Sequence, residues 1–172
     1  MSEEQQFDER LTRMEATLQE IAATPSLEAK ESGATTLMAD FFDLGVALAR
    51  QPELRESSYF LRFFETTLGN VVDATTGIEL YIQTTESRCG DTWYGREWMW
   101  ICERRSSIQF FLDLYSESEI SPVIQLIEIG SLDKAIRYRG QFDGFVKESE
   151  IPEGMPSAHW WWWYPEEPPL RS

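Results

Sequence analysis

Residues 98–114 read WMWICERRSSIQFFLDL, and this stretch decides the fold that the sequence predicts. Side chains alternate with period two on either side of the polar residues 104–107, a pattern typical of two β-strands joined by a turn. The alternating positions are Trp98, Trp100 and Cys102 before the turn and Ile108, Phe110, Leu112 and Leu114 after it. We therefore predict an antiparallel hairpin here, since such a short connection cannot join parallel strands.

Two neighbouring stretches extend this predicted sheet. Ile78, Leu80 and Ile82 alternate in the same way, and residues 121–129 form an apolar run with Pro122 at its start, where proline is tolerated in a strand. Residues 131–147 fit either a short helix or a further edge strand. The second half of the chain therefore predicts an antiparallel meander of four to five strands.

The first half of the chain predicts helices. A narrow apolar stripe over residues 1–24 recurs at spacings of four and three, and Thr24-Pro25 ends it. The stripe consists of Phe7, Leu11, Met14, Leu18 and Ile21. It is too short for a free-standing coiled coil, so it must dock on the domain or form a homodimer with a second copy.

Two more helices are expected between residues 35 and 70, after a polar linker at residues 26–34. Pro52 begins the second of them and Gly69-Asn70 ends it. The predicted fold class is α+β, with about three N-terminal helices packed on the meander in a single domain over residues 35–151. Residues 152–172 contain five prolines and predict an extended Trp/Pro-rich C-terminal arm.

The charge balance restricts the classes of partner. Thirty acidic and fifteen basic residues give a net charge of −15. Such a chain repels nucleic acids and anionic membranes, whose binding depends on Lys and Arg, and attracts basic proteins. Acidity for solubility alone is the competing interpretation. Candidate partner-binding acids are those that occur in pairs, namely Asp40 with Asp43 and Glu117 with Glu119.

Motifs for catalysis and for metal or cofactor binding are lacking in the sequence. His159 is the only histidine and has no Gly-x-Ser-x-Gly elbow to serve. Cys89 and Cys102 stand thirteen residues apart without the second pair of ligands that zinc requires. Gly-rich phosphate-binding loops are also missing. The sequence therefore predicts no catalytic residue, no metal site and no cofactor.

Four consecutive tryptophans near the C-terminus are the most unusual feature. In an extended arm, Trp160, Trp162 and Tyr164 would face one side, and Trp161 and Trp163 the other. One side would close over the domain, and the other would be left for a partner, since tryptophan is enriched at binding hot spots. The alternative is that the whole tract closes over the chain's own core.

These observations favour a non-enzymatic acidic inhibitor, of the kind that bacterial immunity proteins and phage-encoded inhibitors represent, covering a basic or nucleic-acid-handling protein. One alternative is a small-ligand-binding protein or enzyme with a pocket lined by Trp98, Trp100, Tyr81 and His159. Another is an assembly adaptor that acts through the N-terminal helix. With no apolar run long enough to span a membrane and no signal-peptide pattern, a cytoplasmic protein is expected.

Overall fold

The computed structural model describes residues 3–91, 95–143 and 146–168, and every regular element in these ranges is a helix. The α-helices are α1 (Glu3–Ala23), α2 (Leu27–Arg50), α3 (Ser58–Asp91), α4 (Gly95–Tyr115), α5 (Ser121–Ile124) and α6 (Gly130–Asp143). Short 3₁₀ helices cover Pro52–Glu56, Glu148–Glu150 and Trp160–Trp162. The predicted α+β fold with a meander sheet is therefore wrong.

The N-terminal helix is present as predicted, and the following linker is not. Ser26 caps α2, its hydroxyl accepting the N–H of Ala29 at 3.2 Å, so residues 27–34 become the first turns of a 24-residue helix. The helix ends at Arg50, before Pro52. Capping at Ser26 outweighs the weak hydrophobic period that made this segment resemble a linker.

α3 runs for 34 residues, through both the predicted stop and the first predicted strand. Gly69 has open space where a side chain would be, so it lowers helix propensity there without ending the helix. Further along, Ile78, Tyr81 and Ile82 are buried at helical spacing. The alternation of Ile78, Leu80 and Ile82 does not distinguish a strand from a helix here, because a helix that is buried over a wide face also contains apolar residues two apart.

α4 replaces the predicted hairpin. The turn predicted at residues 104–107 lies in the middle of this helix, where all four side chains are at most 7% exposed. α2 packs along α4, and the 3₁₀ helix Trp160–Trp162 contacts it from another direction. Because α4 is covered on more than one face and the polar residues 104–107 at its centre are buried, it has no continuous polar stripe of period 3.6 to reveal it.

The four long helices pack as a bundle around one core. α1 lies against both α2 and α3, α2 also contacts α4, and α6 packs on α3. Gly77 of α3 lies so close to α2 that a Cβ there would be 2.8 Å from the carbonyl oxygen of Lys30. None of the helices in the described ranges is long and apolar enough to cross a membrane.

After α4, the structure also differs from the predicted fourth strand and from the predicted extended arm. Residues 121–129 contain the single turn α5 and a loop, and residues 131–147, left ambiguous by the sequence, are mostly α6. The predicted extended arm instead folds into a 3₁₀ turn at Trp160–Trp162, where burial of large rings against α4 outweighs the extended preference of the flanking prolines. Residues 169–172 of the predicted arm lie outside the described ranges.

Candidate functional site

Ser106 of α4 is the centre of a buried polar cluster that joins α4 to the C-terminal segment. Its hydroxyl oxygen accepts the indole N–H of Trp161 at 3.0 Å and that of Trp162 at 2.8 Å, and it lies 2.9 Å from Nδ1 of His159. All four side chains are at most 1% exposed. Three rings from one short segment therefore converge on a single hydroxyl.

The donors and acceptors of this cluster define the state of His159. A serine hydroxyl accepts two hydrogen bonds and donates one, and the two indole donors fill its acceptor positions. Its hydrogen is therefore assigned to Nδ1 of His159 at 2.9 Å rather than to the sulfur of Met155 at 3.8 Å, because an imidazole nitrogen is the stronger acceptor. The imidazole is then neutral, with its proton on Nε2, which has no partner among the described residues. Burial, and then the charge of Arg105, lowers the pKa of His159 to about 3.

A serine that donates to a histidine could act as a nucleophile with its general base, but a substrate cannot reach this pair. Both acceptor positions of Ser106 are filled by Trp161 and Trp162, and neither Ser106 nor His159 is exposed to solvent. A substrate would need access to the hydroxyl oxygen and to Nε2. In this conformation the cluster fixes the C-terminal segment on α4.

The two buried arginines of α4 are also engaged inside the chain. Arg105 forms a two-pronged pair with Asp133, with Nε–Oδ1 2.6 Å and Nη2–Oδ2 3.2 Å, and its guanidinium lies 4.3 Å from the ring centre of Trp161. Arg104 donates to the hydroxyl of Thr85 at 2.7 Å and lies 3.5 Å from the ring centre of Tyr81. These arginines are therefore not available to an external anion.

The predicted partner-binding tract is partly enclosed by the chain itself. Trp161 and Trp162 are buried, whereas Trp160, Trp163 and Tyr164 are half-buried. Arg137 of α6 covers one exposed side of Trp160, at 3.8 Å from the ring centre. The two sides expected of an extended arm are not formed, because the 3₁₀ turn directs neighbouring residues Trp161 and Trp162 inward together.

The predicted acidic pairs lie in different environments. Asp40 is 6% exposed and pairs with Arg13, whose Nε lies 3.0 Å from Oδ2. Asp43 is exposed and lies 3.6 Å from Nη2 of Arg10. Glu117 and Glu119 are exposed in the connection after α4. Of these four carboxylates, Asp40 and Asp43 therefore have an arginine partner within the bundle.

The stripe predicted to mediate dimerisation packs inside the same chain. Its five side chains are at most 5% exposed, and α1 contacts α2 and α3. The stripe comprises Phe7, Leu11, Met14, Leu18 and Ile21. An adaptor or dimer that used this stripe would first have to displace α1 from the bundle.

The residues of the predicted Trp-lined pocket lie in different environments. Trp98, Tyr81 and His159 are buried in the core, and Trp100 is 37% exposed. Surface cavities along the described residues, between α3 and α6, between α2 and α4, and beside the first turns of α1, are lined by other side chains. The same residues also contain no cluster of three or more His, Cys, Asp or Glu arranged to hold a metal ion.

The outer surfaces of α1 and α3 form an acidic face that the sequence analysis did not locate. α1 contains six acidic and two basic residues, and α3 contains five and two, so these adjacent helices account for seven of the fifteen excess negative charges. By contrast, α4 has three of each sign. We define the acidic face by Glu9, Glu15, Glu20, Glu65, Asp73 and Glu79.

The few basic residues on these two helices lie close to acids of the chain or have another partner. Arg10 and Arg13 pair with Asp43 and Asp40 of α2, Arg62 pairs with Asp8, and Arg88 also has a partner. None of the six carboxylates of the acidic face forms an ion pair with another described residue. The sequence could have revealed this face if α3 had been recognised as one continuous helix.

An exposed aromatic pair marks another surface, on α6. Tyr138 and Phe142 are 69% and 70% exposed, and their ring centres are 5.8 Å apart. Tyr138 borders a cavity of about 370 Å³ between α3 and α6, which also contains Glu86 and Arg139. Charges of both signs line this groove, so it does not continue the acidic face.

Comparison of the chain with protein-family models, with curated proteins and with solved structures gives no match.

Proposed function

We propose that this protein is a non-enzymatic inhibitor that covers the basic surface of a partner protein with its acidic face, in the manner of immunity proteins and phage-encoded inhibitors. The observation that carries the proposal is the contrast between acids and bases on α1 and α3. Five of the six acids of the face are exposed, Glu15 is half-buried, and none forms an ion pair with another described residue, whereas the bases lie close to acids of the chain or have another partner.

The acids of the face give the surface of α1 and α3 a negative electrostatic potential. Helices α1 and α3 pack directly on each other, so the backbone positions that carry these acids are fixed in the bundle. A patch of one sign steers a complementary partner into encounter and disfavours partners of the same sign. Nucleic acids and anionic membranes carry that same sign, so a protein partner with a Lys/Arg-rich surface fits best.

The burial of Ser106 and His159 supports the non-enzymatic part of the proposal. The one serine–histidine contact in the described residues is closed to solvent and serves the packing of the C-terminal segment. The partner would be a nucleic-acid-binding protein if the acidic face takes the place of phosphates on its basic surface.

Two double variants with the same change of net charge test where the partner binds. Asp73→Asn with Glu79→Gln removes two charges from the acidic face, and Glu117→Gln with Glu119→Gln removes two from the connection after α4. The partner is the basic protein recovered from the source cell at low salt and purified separately. We expect the first variant to bind it about tenfold more weakly and the second to bind it almost as the original protein does.

Three results would contradict this proposal. If both variants bind the partner equally weakly, only the overall charge determines the affinity. If both bind it as the original protein does, electrostatic attraction does not contribute to the affinity. Recovery of no basic protein at low salt would contradict the proposed class of partner itself. Circular dichroism of both variants verifies that the helical fold is retained.

A further inference from the structure

A cavity of about 580 Å³ opens between the first turns of α1, the end of α2 and the start of α3. Its volume falls in the range of small-molecule binding sites. Arg10, Arg50 and Tyr59 line its wall together with the apolar residues Phe7 and Leu54. The cavity therefore combines hydrogen-bond donors with a surface for a carbon skeleton.

The two arginines have unused donor capacity. The Nε of Arg10 is buried and no described residue accepts its hydrogen, while its Nη2 is 3.6 Å from Asp43, beyond hydrogen-bond distance. Arg50 uses its Nε for the carbonyl oxygen of Glu153 at 3.1 Å and is otherwise exposed. Because Nε of Arg10 is enclosed, a ligand in the cavity would meet the terminal Nη groups of the two arginines, whose side chains are 26% exposed for Arg10 and exposed for Arg50.

We propose that this cavity binds a small organic anion through its carboxylate or phosphate groups. A guanidinium group recognises both oxyanions with two parallel hydrogen bonds, and Tyr59 can donate a third. Phe7 and Leu54 would contact the apolar part of the molecule. Glu4 also lines the cavity and disfavours highly charged polyanions. This site is additional to the proposed partner binding and does not depend on it.

Isothermal titration with benzoate and with phenyl phosphate, which share an apolar ring and differ in the anionic group, tests the proposal. We expect saturable binding of one equivalent of at least one probe, and binding of benzoate alone or of phenyl phosphate alone would identify the carboxylate or the phosphate as the recognised group. Arg10→Gln and Arg50→Gln should each weaken binding about tenfold, the effect of losing a charge-assisted hydrogen bond. Arg55→Gln is the matched control, because Arg55 is exposed on the 3₁₀ helix Pro52–Glu56 and does not line this cavity.

The proposal is overturned if neither probe gives saturable heat up to about 10 mM, a concentration at which even millimolar affinity would be visible. It is also overturned if a probe binds but Arg10→Gln and Arg50→Gln leave its affinity unchanged, or if Arg55→Gln weakens binding equally. Arg50→Gln retains the Arg10–Asp43 contact, so a loss of binding in that variant is separable from a defect in helix packing.

Discussion

At the scale of single residues, Ser106 connects parts of the chain that are distant in the sequence. Its hydroxyl contacts Trp161, Trp162 and His159, which are more than fifty positions away in the sequence. A small hydroxyl-bearing side chain suits this position because bulky indole and imidazole rings surround it. One oxygen atom therefore positions the C-terminal segment against α4.

Ser106→Ala should destabilise the protein strongly. It removes the partner of Trp162 and of His159 and one of the two acceptors of Trp161, whose N–H keeps the carbonyl of Cys102 at 3.1 Å. Buried groups left unpaired predict a loss of about 2–4 kcal/mol in the free energy of unfolding, measured by urea denaturation. Ser116→Ala, at an exposed serine that donates to the carbonyl of Asp113, is the control and should cost less than about 1 kcal/mol. A loss in Ser106→Ala no larger than in the control would refute this role.

His159 should make stability depend on pH in a defined direction. Its pKa is about 3 in the folded chain and near the ordinary 6.5 when unfolded. Between these values the unfolded chain binds a proton that the folded chain does not, so the free energy of unfolding falls as pH falls. The slope from this residue reaches at most about 1.4 kcal/mol per pH unit, and it vanishes above pH 6.5.

His159→Gln isolates this contribution from that of the carboxylates. Urea denaturation of both proteins at a series of pH values below 6.5 should show a shallower decline for the variant. Parallel curves for the two proteins would mean that the pKa of His159 is not lowered by folding.

At the scale of helices, glycines show how closely the elements approach each other. Gly45 of α2 faces α4, and a Cβ there would overlap the ring of Phe110. Gly69 of α3 is exposed with open space around it. Close helix packing therefore requires glycine at position 45, whereas no contact requires it at position 69, although both residues lie inside long helices.

Alanine substitutions at these two positions should change stability in opposite directions. Gly45→Ala forces α2 and α4 apart and is expected to cost about 1–3 kcal/mol. Gly69→Ala is expected to stabilise the protein by about 0.5–1 kcal/mol, because alanine is the better helix former. Thermal denaturation measures both. If Gly69 instead ended the helix in a left-handed conformation, as its sequence context suggested, alanine there would be destabilising.

The sequence predicts a helix correctly where one face is apolar and the other polar. The stripe from Phe7 to Ile21 meets this condition, and α1 forms over it. α4 does not meet it, since Arg104, Arg105 and Ser106 are buried beside apolar residues. Their partners come from distant segments, so no local pattern reveals them. The contact of Ser106 with His159 could not be predicted either, because the two residues are far apart in the sequence.

At the scale of the whole molecule, the distribution of charge over the surface determines the proposed partner site more than the net charge does. The net charge of −15 follows from composition, but its concentration on α1 and α3 depends on both being long helices packed side by side. α6, on another side of α3, has three basic and two acidic residues. The proposed partner binding is therefore assigned to the acidic face, which carries almost half of the excess negative charge.

The dependence of association on ionic strength tests the proposed role of the acidic face most directly. Stopped-flow measurements with the purified basic partner, from about 50 mM to about 500 mM salt, should show the association rate constant falling about tenfold or more. The dissociation rate constant should change by less than about threefold, since steering acts on the encounter rather than on the formed complex. An association rate constant that stays the same across this range would contradict the account.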